Sequence, residues 1–140
     1  MKFTTEGFAV SVVAEVTKDR KIDPARIFLL SWSSGGPPSY LLSLQKRKIV
    51  TGSLIAMSVF HPDKLDLATA KGHAFFLYHS KEDKVCPFAH AEQAKESLEK
   101  QGAKVELATY DGGHGWRGPL YKDLRTGFDW LEKNHGEPGK

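Results

Sequence analysis

The sequence predicts an α/β fold: about four parallel strands in one sheet, with helices on both faces. Three observations carry this. Short apolar runs recur at residues 26–30, 53–60, 74–78 and 105–110, and most end in a polar or glycine-rich turn. The segments between and around them repeat their apolar residues at helical spacing. Strands alternating with helices in this way join by right-handed crossovers into a parallel sheet.

Each element has its own signal. Phe8, Val12, Val13 and Val16 recur at helical spacing, with Thr4 or Thr5 as cap, so a first helix ends near Asp19. Asp23-Pro24 makes a turn, because proline restricts the residue before it. Arg26 to Leu30 is the first strand, of the apolar kind found in buried parallel sheets. After Ser31-Trp32-Ser33-Ser34-Gly35-Gly36 a helix follows through Tyr40 to Leu44, with Pro37 and Pro38 tolerated in its first turn. Ser53 to Phe60 is the second strand. Ala74 to Tyr78 is the third, ending in the polar turn His79 to Asp83. Pro87 opens a helix whose inward face is Phe88, Ala91, Ala94 or Lys95, and Leu98, and Gly102 ends it. Val105 to Tyr110 alternates as a strand. A last helix, from about Pro119 to Lys133, carries Leu120, Leu124, Phe128 and Leu131 on one face. Residues 135–140 read as a disordered tail.

Composition narrows the function. At 140 residues, 40% hydrophobic and 26% charged, the chain suits one globular domain spanning 1–140 and neither a disordered nor a fibrous protein. The net charge of +3 is spread along the sequence, and Lys46-Arg47-Lys48 reads as a solvated helix end, so no nucleic-acid partner is expected. The single Cys86 excludes an intramolecular disulfide and a cysteine-rich zinc site, and reads as a small buried hydrophobe. No run approaches the ~18 apolar residues of a membrane span. Met1 to Glu15 lacks a signal-peptide pattern. A soluble, cytoplasmic protein is the expectation.

The order of elements brings three polar residues together. Ser33 follows the first strand, Asp83 the third and His114 the fourth, so all three lie on loops at the carboxyl edge of the sheet, where ligands bind. A serine on a sharp strand-to-helix bend needs small neighbours two positions away on either side, and Ser31 and Gly35 are these. A hydroxyl is a weak nucleophile and needs a base. His114, between Gly113 and Gly115, is that base, and Asp83 orients it and stabilises its protonated form. Glu82 and Asp111 are the nearest rivals of Asp83. The N–H of Ser34, at the start of a helix, is the donor available to an oxyanion. Trp32 and Trp116 flank the site as substrate-binding or oxyanion residues, and Trp116, Phe60 and Tyr40 either line an acyl pocket or belong to the core. The remaining histidines, His61, His73, His79, His90 and His135, read mostly as surface or loop residues. None has the spacing of a metal site, and no cofactor is expected.

With these residues in view, the segment from Arg26 onward, about four fifths of the chain, resembles the C-terminal part of α/β-hydrolases. The likeness is to the phospholipase/carboxylesterase and dienelactone hydrolase group, and less closely to the catalytic domain of prolyl oligopeptidases. Residues 27–36 are similar to the strand and nucleophile elbow, 79–87 to the acid turn, and 113–116 to the histidine loop. The resemblance implies a truncated, minimal α/β-hydrolase fold without the family's earlier strands. It also implies hydrolysis of small carboxylic esters through an acyl-enzyme on Ser33. A non-catalytic assembly domain, and a thioesterase or peptidase with the same three residues, are the alternatives. The strand 26–30 would then lie at a sheet edge with an apolar face uncovered, which predicts a homo-oligomer.

Overall fold

The computed structural model describes residues 3–139. Four strands, β1 (Phe28–Trp32), β2 (Gly52–Ala56), β3 (Ala74–Ser80) and β4 (Lys104–Tyr110), form one parallel sheet in sequential order. Four helices surround it: α1 (Thr5–Asp19), α2 (Gly36–Ser43), α3 (Ala89–Lys100) and α4 (Leu120–Asn134). Among the described residues, no helix is long and apolar enough to cross a membrane.

The two faces of the sheet bury different helices. On one, Tyr40 and Leu44 of the α2 region and Ala94 and Leu98 of α3 pack on Ile55, Phe75, Leu77 and Val105. On the other, Leu124, Phe128 and Leu131 of α4 cover Leu54, Phe76 and Tyr78. Helical spacing therefore named the inward faces of α3 and α4, with Ala94 rather than Lys95 turned to the core. Phe60 and Tyr40 belong to this first cluster, their rings 5.0 Å apart.

The cap of α1 is Thr4, whose Oγ1 accepts the N–H of Gly7 at 3.1 Å. Its apolar stripe Phe8, Val12, Val16 nevertheless faces outward, and the helix buries no residue fully.

Strand ends depart from the sequence reading for backbone reasons. β1 begins at Phe28 and runs on through Ser31 and Trp32, because the ladder with β2 continues to the pair Trp32 and Ala56. It is an edge strand with Leu30 and Trp32 exposed, not one buried on both faces. β2 stops at Ala56, since Met57 takes a left-handed conformation (φ 40°) and gives its N–H to Tyr78. β3 includes His79 and Ser80, both buried, because they pair with Thr109 and Tyr110 of β4.

Residues 135–139 run back along the start of β2, with the N–H of Gly136 on the Thr51 carbonyl and that of Gly139 on the Lys48 carbonyl, each at 2.9 Å. Lys140 lies outside the described residues.

Below the sheet a buried polar chain joins α2 to β3. Ser43 Oγ lies 2.7 Å from Ser53 Oγ, which lies 3.1 Å from His73 Nε2. Lys48 Nζ closes the end of α2 by donating to the Ser43 carbonyl at 2.7 Å. His73 is buried, not a surface residue, and burial, with a smaller contribution from Lys48, pushes its pKa down to about 3.

Candidate active site

The carboxyl ends of β1, β3 and β4 carry Ser33, Asp83 and His114. Ser33 stands on the bend between β1 and α2 at φ 49°, a conformation that costs a non-glycine residue on the order of 1–3 kcal/mol. That strain lifts Oγ off the strand. It lies 3.1 Å from His114 Nε2, within reach for proton transfer.

The loop of His114 is shaped by glycine, with Gly113 at φ 82° and Gly115 at φ 129°. It is also tied to the loop after β3. Ser80 Oγ accepts the Gly113 N–H at 3.1 Å, and the Glu82 carboxylate accepts the Gly112 N–H at 3.1 Å. These bonds give Ser80 and Glu82 structural roles; of the two carboxylates in this loop, Asp83 is the one in contact with the His114 ring.

Asp83 Oδ2 lies 2.8 Å from His114 Nδ1. Its other oxygen accepts the N–H groups of Val85 and Cys86 at 2.9 and 2.7 Å. Burial alone would raise this carboxyl's pKa. The bonds from His114, Cys86 and Val85 outweigh burial and hold it below the ordinary carboxylate range. An ionised Asp83 requires the proton of His114 on Nδ1, which leaves Nε2 free to accept from Ser33. His79 stands behind the pair, its Nε2 2.7 Å from the Cys86 carbonyl and 3.3 Å from Asp83 Oδ2. Sequence reasoning missed the roles of His79, Ser80 and Glu82; β3 is buried along its whole length, so no alternation marked the first two as inward. Cys86 is free and buried, as its lone occurrence suggested. Burial and the nearby Asp83 carboxylate push its thiol pKa up, against a contact from the Ser33 hydroxyl.

Two tryptophans frame the serine and histidine. The rings of Trp32 and Trp116 meet edge to face, 6.2 Å apart at 70°. Trp116 stacks on Tyr78 (5.8 Å), which stacks on Tyr110 (4.5 Å), and Tyr78 donates its hydroxyl proton to Asp123 at 2.6 Å. Trp116 is thus backed by a fixed aromatic stack, whereas Trp32 is 53% exposed. Ser34 is exposed at the start of the turn into α2. Beside β1, a groove of about 390 Å³ between α1 and α2 is lined by Leu29, Leu30, Trp32 and Leu42. Ser31, which also lines it, has its Oγ buried without a hydrogen-bond partner.

The family model for phospholipase/carboxylesterase matches residues 4–125. The chain belongs to the phospholipase/carboxylesterase family. Solved structures agree with that family's α/β-hydrolase fold. The carboxylesterase of Bacillus cereus superposes with a TM-score of 0.75 at 20% identity, over 92% of this chain and 59% of its own. The esterase PE8 gives 0.70 at 20% identity, over 92% and 58%. Dipeptidyl peptidase 4 of Porphyromonas gingivalis gives 0.73 at 15% identity, over 92% and 22%. This family member therefore spans about three fifths of the length of the carboxylesterase and esterase it resembles. Comparison with curated protein sequences finds no match.

Proposed function

We propose that the protein hydrolyses small carboxylic esters with Ser33 as nucleophile, His114 as general base and acid, and Asp83 as the group that orients His114. The observation that carries this reading is the unbroken contact chain from Ser33 Oγ through the imidazole to a buried carboxylate, at 3.1 and 2.8 Å. In the first half-reaction Ser33 Oγ bonds to the ester carbonyl carbon while its proton passes to His114 Nε2. The negative charge moves to the carbonyl oxygen, which faces the Ser34 N–H. Collapse breaks the ester C–O bond, and the departing alcohol takes the proton from His114. Water then repeats the sequence on the acyl-enzyme and releases the acid. Trp32 and Trp116 border the bound acyl or alcohol group. Every proton has a side chain to carry it, so the reaction needs no cofactor.

The test is covalent. Purified protein is expected to label with a fluorophosphonate at Ser33 and to release p-nitrophenol from its acetate and butyrate esters, with Ser33→Ala inert in both assays. Failure to label and equal turnover by the two proteins would end this reading. Parallel thioester and peptide substrates separate it from the other acyl-transfer chemistries.

We also propose that a second copy covers the β1 edge. Leu30, Trp32 and the stripe Phe8, Val12, Val16 are all more than a third exposed, and an apolar edge of this kind recruits another chain. Light scattering at micromolar concentration is expected to give a multiple of the 15.6 kDa chain mass. A monomer mass refutes it.

A further inference from the structure

Ser58 lies two residues beyond the end of β2 and is buried. Its hydroxyl has one proton and two acceptors in range, the Ser33 carbonyl at 2.7 Å and the Val59 carbonyl at 3.5 Å. The shorter bond takes the proton. Ser33 O also accepts the N–H of Gly36, so it is held from two sides.

Two local features exist to permit this contact. Met57 adopts a left-handed backbone (φ 40°), uncommon for a non-glycine residue, immediately before Ser58. The chain leaves the sheet there with the Met57 N–H fixed on Tyr78. On the other side, a Cβ at Gly36 would overlap Ser58 Oγ and Cβ, so only glycine admits the serine. The strained Ser33 is therefore joined by one hydrogen bond, across the strand ends, to the residue that follows the strained Met57.

The Ser33 carbonyl and the Ser34 N–H belong to one planar trans peptide unit and point in opposite directions. Fixing the oxygen fixes the direction of the N–H. A donor on the oxygen also polarises the unit and strengthens the N–H as a donor. We infer that Ser58 is a positioning residue: through the Ser33 carbonyl it aims and strengthens the Ser34 N–H at the developing oxyanion, and it holds the bend that presents Ser33. The inference rests on the proposed roles of Ser33 and Ser34.

Such a residue acts on the tetrahedral state and leaves ground-state binding alone. Ser58→Ala is therefore expected to lower kcat about ten- to a hundredfold while KM for p-nitrophenyl butyrate changes less than about twofold. Inhibition by an alkyl trifluoromethyl ketone, whose adduct on Ser33 carries the oxyanion, is expected to weaken by about the same factor as kcat. Ser43→Ala removes a comparable buried hydroxyl at the opposite end of the sheet, and it should lose stability with kcat intact. Wild-type kcat and ketone affinity in folded Ser58→Ala would overturn the inference, as would a loss confined to KM. If Ser58→Ala does not fold, Ser58→Cys, a weaker donor, is expected to show an intermediate loss in both measurements, and full activity there counts equally against it. A wild-type protein that never labels at Ser33 instead refutes the underlying ester-hydrolase reading.

Discussion

Asp83→Asn is expected to lower kcat for p-nitrophenyl acetate by roughly 10⁴-fold in a protein that still folds. The asymmetry of the Asp83 contacts explains why. One oxygen accepts the N–H groups of Val85 and Cys86, so an asparagine places its carbonyl oxygen there. Its NH₂ group then faces His114 Nδ1 and His79 Nε2, where Oδ2 stood. An NH₂ donates, so His114 must accept through Nδ1 and carry its proton on Nε2. In that tautomer Nε2 cannot take the proton of Ser33, although every heavy atom keeps its place. A matched thermal melt separates this from unfolding. A loss smaller than about tenfold would mean that Asp83 does not set the tautomer.

The second large effect is a loss of stability in mild acid, set by His73 at the opposite end of β3. Its folded pKa of about 3 lies far below the ordinary 6.5. Above pH 6.5 the ring is neutral in both folded and unfolded chains and the shift has no effect. As pH falls below that value the unfolded chain takes up a proton that the folded chain refuses. Unfolding then becomes easier by about 1.4 kcal/mol per pH unit, reaching on the order of 4–5 kcal/mol near pH 3. Asp83, held below its ordinary value, keeps its contribution intact until the pH falls below the ordinary carboxylate pKa of 3.8. Urea denaturation of wild type and variant is compared between about pH 7 and 4.5, above the range in which Asp83 loses its contribution. The His73→Gln variant, which retains an amide donor for Ser53, is expected to lose most of this pH dependence. Parallel slopes for the two proteins would exclude His73 as its source.

What the sequence made legible follows from the range of each signal. The inward faces of α3 and α4 were readable because helical spacing is local and amphipathic. That Ser33, Asp83 and His114 meet was readable because chain order fixes which strand end each occupies, and a parallel sheet puts those ends on one edge. Strand ends were not, since they depend on a partner's ladder, as at His79 and Ser80, or on one backbone torsion, as at Met57. Ser58, Ser80 and His79 look like ordinary polar residues in the sequence, and Glu82 like a rival of Asp83; their contacts are with residues on other loops or on the turn between them. The polar composition of the tail gives no sign of its backbone bonds to Thr51 and Lys48.

The sequential strand order has a consequence for how the molecule comes into being. Each strand pairs in parallel with the one before it across a crossover, so every addition to the sheet is a non-local closure of the kind that slows folding. The contact between Ser33 and His114 spans 81 residues and requires all four strands. The meeting of Ser33 and His114 therefore depends on the whole sheet, and a partial opening at the β4 end is enough to part them.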